Sequence, residues 1–310
     1  MKLITSLLLL CLSLPLLAYD TGRKQLGHLE TYKPNTIGYT KDDNDVGFVD
    51  FQLSFMYPLF HDNQPASAAA GFLPYPYFTF TGRFGQYIRT RPSSPVIAKS
   101  YNPELFFRYW LSPEGKDKDH ADKLDFIYGH ESNGQSINTE SSYKQKQIDL
   151  IADGDDPAYA DDYISRGWDY VSMRWGHNWN QHNTADSHFT TYLSVKTFLD
   201  SGLLQKNQED YNDWENNPEG KPRAETDGIE LSSRFNTSFN SGIVSGDSII
   251  VTYTTGLENS FQFNTYKAEF VLDIGNLPLM IWARHGYNSD LVDYYQEVTS
   301  VGLGIEFLGL

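Results

Sequence analysis

Phe51-Gln52-Leu53-Ser54-Phe55-Met56-Tyr57 decides how this chain is read. On an extended strand, Phe51, Leu53, Phe55 and Tyr57 share one face, while Gln52 and Ser54 take the other. The same period returns near the end, where Val301, Leu303, Ile305 and Phe307 alternate with Gly302, Gly304 and Glu306. Strict alternation predicts strands with one apolar face. Two architectures share that pattern. In an exported soluble sandwich the apolar face is inside, whereas in a barrel crossing a membrane it meets lipid and the polar face lines the lumen.

The rest of the chain favours the barrel. Residues 1–18, MKLITSLLLLCLSLPLLA, have a basic start at Lys2, an apolar run and a small residue, Ala18, before Tyr19-Asp20. They are expected to be a removable export signal, because the run is short for a spanning helix. Cys11 is the only cysteine and is expected to leave with it, so thiol chemistry and disulfides are not anticipated. No later segment resembles a transmembrane helix, and lipid accepts only helices and closed barrels. The counts of 21 Tyr and 19 Phe suit strands and membrane interfaces. A formal charge of -16 argues against a nucleic-acid partner, which demands a positive surface. Polar stretches at 61–71, 111–123, 137–162 and 205–229 read as loops. The expected organisation is a signal over 1–18, an N-terminal arm over 19–49 and one all-β antiparallel barrel over 50–310. Pattern alone allows roughly ten to fourteen strands.

Chemistry concentrates at Tyr128-Gly129-His130-Glu131-Ser132-Asn133-Gly134-Gln135-Ser136, which follows the strand-like Leu124-Asp125-Phe126-Ile127. Leu124, Phe126, Tyr128, His130 and Ser132 line one face. A serine hydroxyl needs a base to become a nucleophile, and a histidine beside it can supply that role. The histidine needs a third group to set its tautomer and support the imidazolium. Asp169, which alternates with Val171, Met173 and Trp175, is the candidate, since an acid on an apolar stripe is uncommon. The bland readings are an incidental His–Ser pair and a strand-end aspartate near lipid headgroups. His177, His182 and His188 have no convincing zinc spacing, and Tyr170, Trp175 and Trp179 read as packing or interface residues.

His130-Glu131-Ser132-Asn133-Gly134-Gln135-Ser136 resembles the histidine–acid–serine–Asn–Gly–basic–Ser signature of the bacterial outer-membrane phospholipase A family, with Gln135 at the basic position. Ser93-Ser94-Pro95, Tyr101 to Phe106, Phe51 to Leu59, Ser165 to Asp169 and Gly286 to Phe307 resemble further blocks of that family in order. The resemblance implies a twelve-stranded barrel in the Gram-negative outer membrane with its site on the outer wall. It implies calcium-dependent hydrolysis of phospholipid acyl esters, of phospholipase A1/A2 type with lysophospholipase activity as an extension, in a reversible homodimer. Ser132 would be nucleophile and His130 base; Asp169 stands where a familiar member has asparagine. Ser93 matches a calcium ligand given across the dimer interface, Gln135 lies at the metal-proximal position, and Asn138 and Glu140 in the next loop are further ligand candidates. Thr81 matches a buried interface glutamine, which would weaken the dimer. The alternatives are a catalytically inactive barrel with a structural or narrow-channel role, and a soluble carbohydrate-binding sandwich.

Overall fold

A computed structural model describes residues 29–59, 74–111, 122–179, 187–215, 220–275 and 277–307. The expected signal over 1–18 and His182 lie outside the described residues. The strands are β1 (Glu30–Thr31), β2 (Asn35–Asp42), β3 (Gly47–Pro58), β4 (Tyr75–Tyr87), β5 (Val96–Trp110), β6 (Lys123–Ser132), β7 (Gly167–Asn178), β8 (Ser187–Phe198), β9 (Gly228–Asn240), β10 (Val244–Gly256), β11 (Asn264–Ile274), β12 (Leu277–Gly286) and β13 (Val298–Phe307). From β2 to β13 each pairs antiparallel with its neighbour in sequence, and β13 closes on β2, with Phe307 opposite Asn35 and Ser300 opposite Asp42. The result is a closed twelve-stranded barrel. The two-residue β1 continues the line of β2 along β3, with Glu30 opposite Met56. The barrel therefore begins earlier than the expected boundary at residue 50: β1, β2 and the start of β3 fall within the anticipated arm over 19–49. Thr40 is buried between exposed Tyr39 and Lys41, and a strand with a lysine on its outer face does not stand out as an apolar run.

Alternation sets the two surfaces. Leu53, Phe78, Leu105, Phe126, Val171, Leu231, Ile249, Ile281, Val301 and Leu303 are exposed on the outer wall. Ser54, Thr79, Glu104, Arg108, Asp125, Ser300 and Glu306 point inward and are buried. The apolar faces at 51–57 and 301–307 thus face outward, as lipid requires. The soluble sandwich is excluded by closure. Among the described residues no helix is long and apolar enough to cross a membrane.

The lumen is filled by paired charge rather than hydrocarbon alone. Asp125 takes Arg108 Nε at 2.7 Å and Nη2 at 2.9 Å, and Arg174 Nη2 at 2.7 Å. Tyr170 turns inward and donates to Glu104 at 2.7 Å and Asn102 at 2.9 Å, so it is a luminal strut and not a belt residue. Thr81 also points inward, 2.8 Å from Ser54 Oγ. It faces the lumen and not an interface on the outer wall, since residues one apart on a strand take opposite faces.

One end of the barrel is closed by the connections. The 287–297 segment sends Leu291 and Tyr294 across the bore into a cluster with Met56, Tyr77, Phe106, Ile127, Trp168, Tyr170 and Phe198. The 137–162 stretch is not an open loop. It forms helix α1 (Glu140–Asp153) and a 3-10 turn (Pro157–Tyr163). Thr139 caps α1, its hydroxyl accepting from Ser142 N at 3.2 Å, and Gly154 ends it in the left-handed region. Tyr143 and Leu150, seven residues apart, bury one stripe against Ile137, Ala160, Ile164 and Val292. A short helix, α2 (Arg223–Thr226), completes this end.

Candidate active site

β6 and β7 pair so that His130 lies directly opposite Asp169 and Ser132 directly opposite Gly167. Opposed residues of an antiparallel pair share a face. That face is the outer one, continuing the exposed Phe126, Val171 and Met173 toward the plugged end of the barrel. The register alone brings the histidine and the acid together, and His130 Nδ1 lies 2.7 Å from Asp169 Oδ1. A carboxylate on Nδ1 holds a proton there and leaves Nε2 as the basic nitrogen. Ser132 is two positions along the same face, its Cα ~6.6 Å from that of His130 by strand geometry. Among the described residues the Ser132 hydroxyl makes no hydrogen bond, so it is free to turn toward Nε2. Catalytic hydrogen bonds commonly tighten only when substrate binds.

Asp169 is fully buried despite lying on the outer wall. The cover is the segment after β8, folded back over the strand. Asp169 Oδ2 accepts from Tyr128 OH at 2.6 Å, Leu204 N at 2.8 Å and Gln205 N at 3.1 Å. Leu203 N donates to Tyr128 OH at 2.7 Å, and Gly202 N donates to the Gln205 carbonyl at 2.7 Å. A buried carboxylate is tolerable only when its oxygens are satisfied, and here one oxygen holds the histidine while the other holds a loop. Gly202 must be glycine. A β-carbon there would sit 1.9 Å from Asp169 Oδ2.

The turn after Ser132 is fixed by Asn133, which is 1% exposed. Its Nδ2 donates to the Ile164 carbonyl at 2.7 Å, and its Oδ1 accepts from Arg166 N at 3.0 Å and Gln135 N at 3.2 Å. Glu131 points inward, bonded by Ser100 Oγ at 2.8 Å and Arg223 Nη2 at 2.5 Å. It cannot reach His130 on the outside.

The expected calcium ligands are spread along the same rim. Ser93 is exposed on the β4–β5 connection at φ 60°. Gln135 donates through Nε2 to the Ile97 carbonyl at 3.4 Å, which leaves Oε1 as a hard oxygen donor. Asn138 borders a polar hollow of about 310 Å³ with Ser165, Gln205, Glu209 and Asn212. Glu140 is exposed and paired with Lys144 at 2.5 Å. Among the described residues no cluster of three or more His, Cys, Asp or Glu side chains is placed to hold a metal. Gln135 and Asn138 offer amide oxygens here and Ser93 a hydroxyl, the kind of hard oxygen that calcium accepts.

Tyr128, Asn133 and the 202–205 segment are not among the candidates the sequence offers. Tyr128 shares the strand face of His130 and Ser132, which is a usable signal; the other two act through contacts distant in sequence.

No protein-family model matches this sequence, and no curated protein matches it. Solved structures do. The Escherichia coli outer membrane phospholipase A aligns at 17% identity and TM-score 0.58, over 94% of this chain and 95% of that one. An active-site mutant of the same protein aligns at 16% identity with the same TM-score and coverage. The Salmonella typhi outer membrane phospholipase dimer with bound calcium aligns at 16% identity and TM-score 0.57, over 91% and 92% of the two chains. At these identities the likeness establishes the shared barrel fold.

Proposed function

We propose that this barrel is an outer-membrane phospholipase that cleaves acyl esters of phospholipids with Ser132, His130 and Asp169. The observation that carries the reading is the His130–Asp169 contact on the lipid-facing wall, with Ser132 next on the same face. Solved relatives in fold whose names are phospholipase support it. Ser132 Oγ attacks the ester carbonyl while His130 Nε2 takes its proton. Asp169 holds the ring and stabilises the imidazolium. His130 then gives the proton to the departing lysophospholipid oxygen. A water activated by the same nitrogen releases the fatty acid and frees the serine.

The reading includes export, an outer-membrane location, and a reversible homodimer with calcium. Gln135 Oε1 is the favoured ligand from this chain and Ser93 the one offered to a second copy; Asn138 lies aside and Glu140 is engaged with Lys144. Bound there, calcium would supply positive charge near the ester carbonyl.

The test is fatty-acid release from phospholipid–detergent micelles by folded protein, with calcium and with chelator. Wild type should release fatty acid only with calcium, and Ser132→Ala should lose roughly 10³-fold or more. Full release by the folded serine variant removes the nucleophile. No release by wild type with calcium favours the inactive barrel.

A further inference from the structure

The 202–205 segment does more than cover Asp169. A β-carbon built on Gly167, the residue opposite Ser132, would sit 3.1 Å from Gln205 Oε1 and 3.6 Å from Ser132 Cβ. The side-chain amide of Gln205 therefore hangs beside the nucleophile, over the space left by a missing side chain. Its backbone is locked at both polar atoms, N–H on Asp169 Oδ2 at 3.1 Å and carbonyl on Gly202 N at 2.7 Å. Its side-chain amide makes no hydrogen bond to any described residue. A group anchored through its backbone, with a free amide at a reacting centre, is organised for a ligand that arrives later.

We infer that Gln205 is a catalytic residue: an oxyanion donor for the acyl transfer. The inference rests on the phospholipase reading. As Ser132 Oγ bonds to the carbonyl carbon and its proton passes to His130 Nε2, the carbonyl π pair moves onto oxygen. Gln205 Nε2–H donates to that oxygen, and a half-turn of the planar amide presents Nε2 in the place of Oε1. No proton leaves the amide. When the tetrahedral centre collapses, the pair returns and the hydrogen bond weakens. The arrangement links two steps of catalysis through one carboxylate, because Asp169 sets both the histidine ring and the loop that carries the donor.

The test uses full-length protein folded in detergent micelles, with Gln205→Ala and Gln205→Glu compared with wild type. Four quantities are read: kcat and KM for phospholipid, the rate of covalent labelling by a fluorophosphonate, and amide exchange at Leu204 and Gln205. Loss of one such donor should lower kcat and labelling about 10²-fold with KM nearly unchanged. Exchange in the segment should stay at the wild-type rate, which separates a donor from a structural prop. Gln205→Glu, an acceptor of the same length, should be no better than alanine. Wild-type rates in Gln205→Ala, or a rise in KM with kcat preserved, overturn the assignment to Gln205 alone. A wild-type protein with no Ser132-dependent labelling or release overturns the phospholipase reading, and this inference with it.

Discussion

The contacts of Asp169 suit aspartate better than asparagine. Oδ1 faces the His130 Nδ1 proton, and Oδ2 accepts three donors from Tyr128, Leu204 and Gln205. An amide has one oxygen, so either orientation turns an N–H group against a donor. Asp169→Asn should lower kcat by roughly 10²- to 10⁴-fold. It should also accelerate amide exchange at Leu204 and Gln205, visible by mass spectrometry; slow exchange in that variant would show the loop to be independent of the carboxylate. Gly202→Ala should give the same pair of effects, since its methyl needs the space of Oδ2. The residues of the proposed triad were legible because each interrupts an apolar stripe of period two. Their partner Gln205 was not. It lies in a polar run, and its place beside Ser132 follows only from the fold-back onto Asp169.

At the scale of elements, pattern reading failed where polarity hid order. The 137–162 stretch is polar enough to look like a loop, yet its cap at Thr139 and its two inward residues, Tyr143 and Leu150, suffice for a helix packed on Ile164 and Val292. The signal was local chemistry at the termini rather than periodicity. Asn133 ties this unit to the end of β6, and Asn133→Ala leaves buried backbone groups of Ile164 and Arg166 with fewer partners. A loss of about 1–3 kcal/mol in chemical unfolding is expected, with activity falling as the Ser132 turn loosens. The 287–297 connection has a pH signature. Burial, and next the charges of Asp290 and Asp162, push the Asp293 carboxyl up to about 8. The folded chain then keeps a proton that an unfolded carboxyl loses near pH ~4. Its contribution to stability is complete below that pH and is lost as pH rises through about 8. Asp293→Asn should therefore raise the Tm at pH 8 more than at pH 5; an equal gain at both would refute the linkage.

At the scale of the molecule, alternation made closure readable in kind, while the number, twelve, came from the family resemblance and holds in the fold. Alternation with the polar face inward needs no knowledge of partners, whereas a count of twelve depends on seeing that 35–42 and 47–58 are separate strands. The price of an ionic lumen is dependence on pairing. Asp125 is the shared counter-ion of Arg108 and Arg174, and Asp125→Asn should cost roughly 3–5 kcal/mol in detergent unfolding, because two buried guanidinium groups lose their charge partner. A near-neutral outcome would mean that water or Glu104 compensates. The outward direction of the His130 and Ser132 face has a further consequence under the proposed reaction. Enzyme and substrate meet in a plane, so the governing variable is the mole fraction of phospholipid in one leaflet and not its amount per volume of water. Diluting that leaflet with an inert amphiphile slows turnover even when the total phospholipid is unchanged, and any process that delivers phospholipid to the leaflet at that rim acts as a throttle on the barrel without touching it.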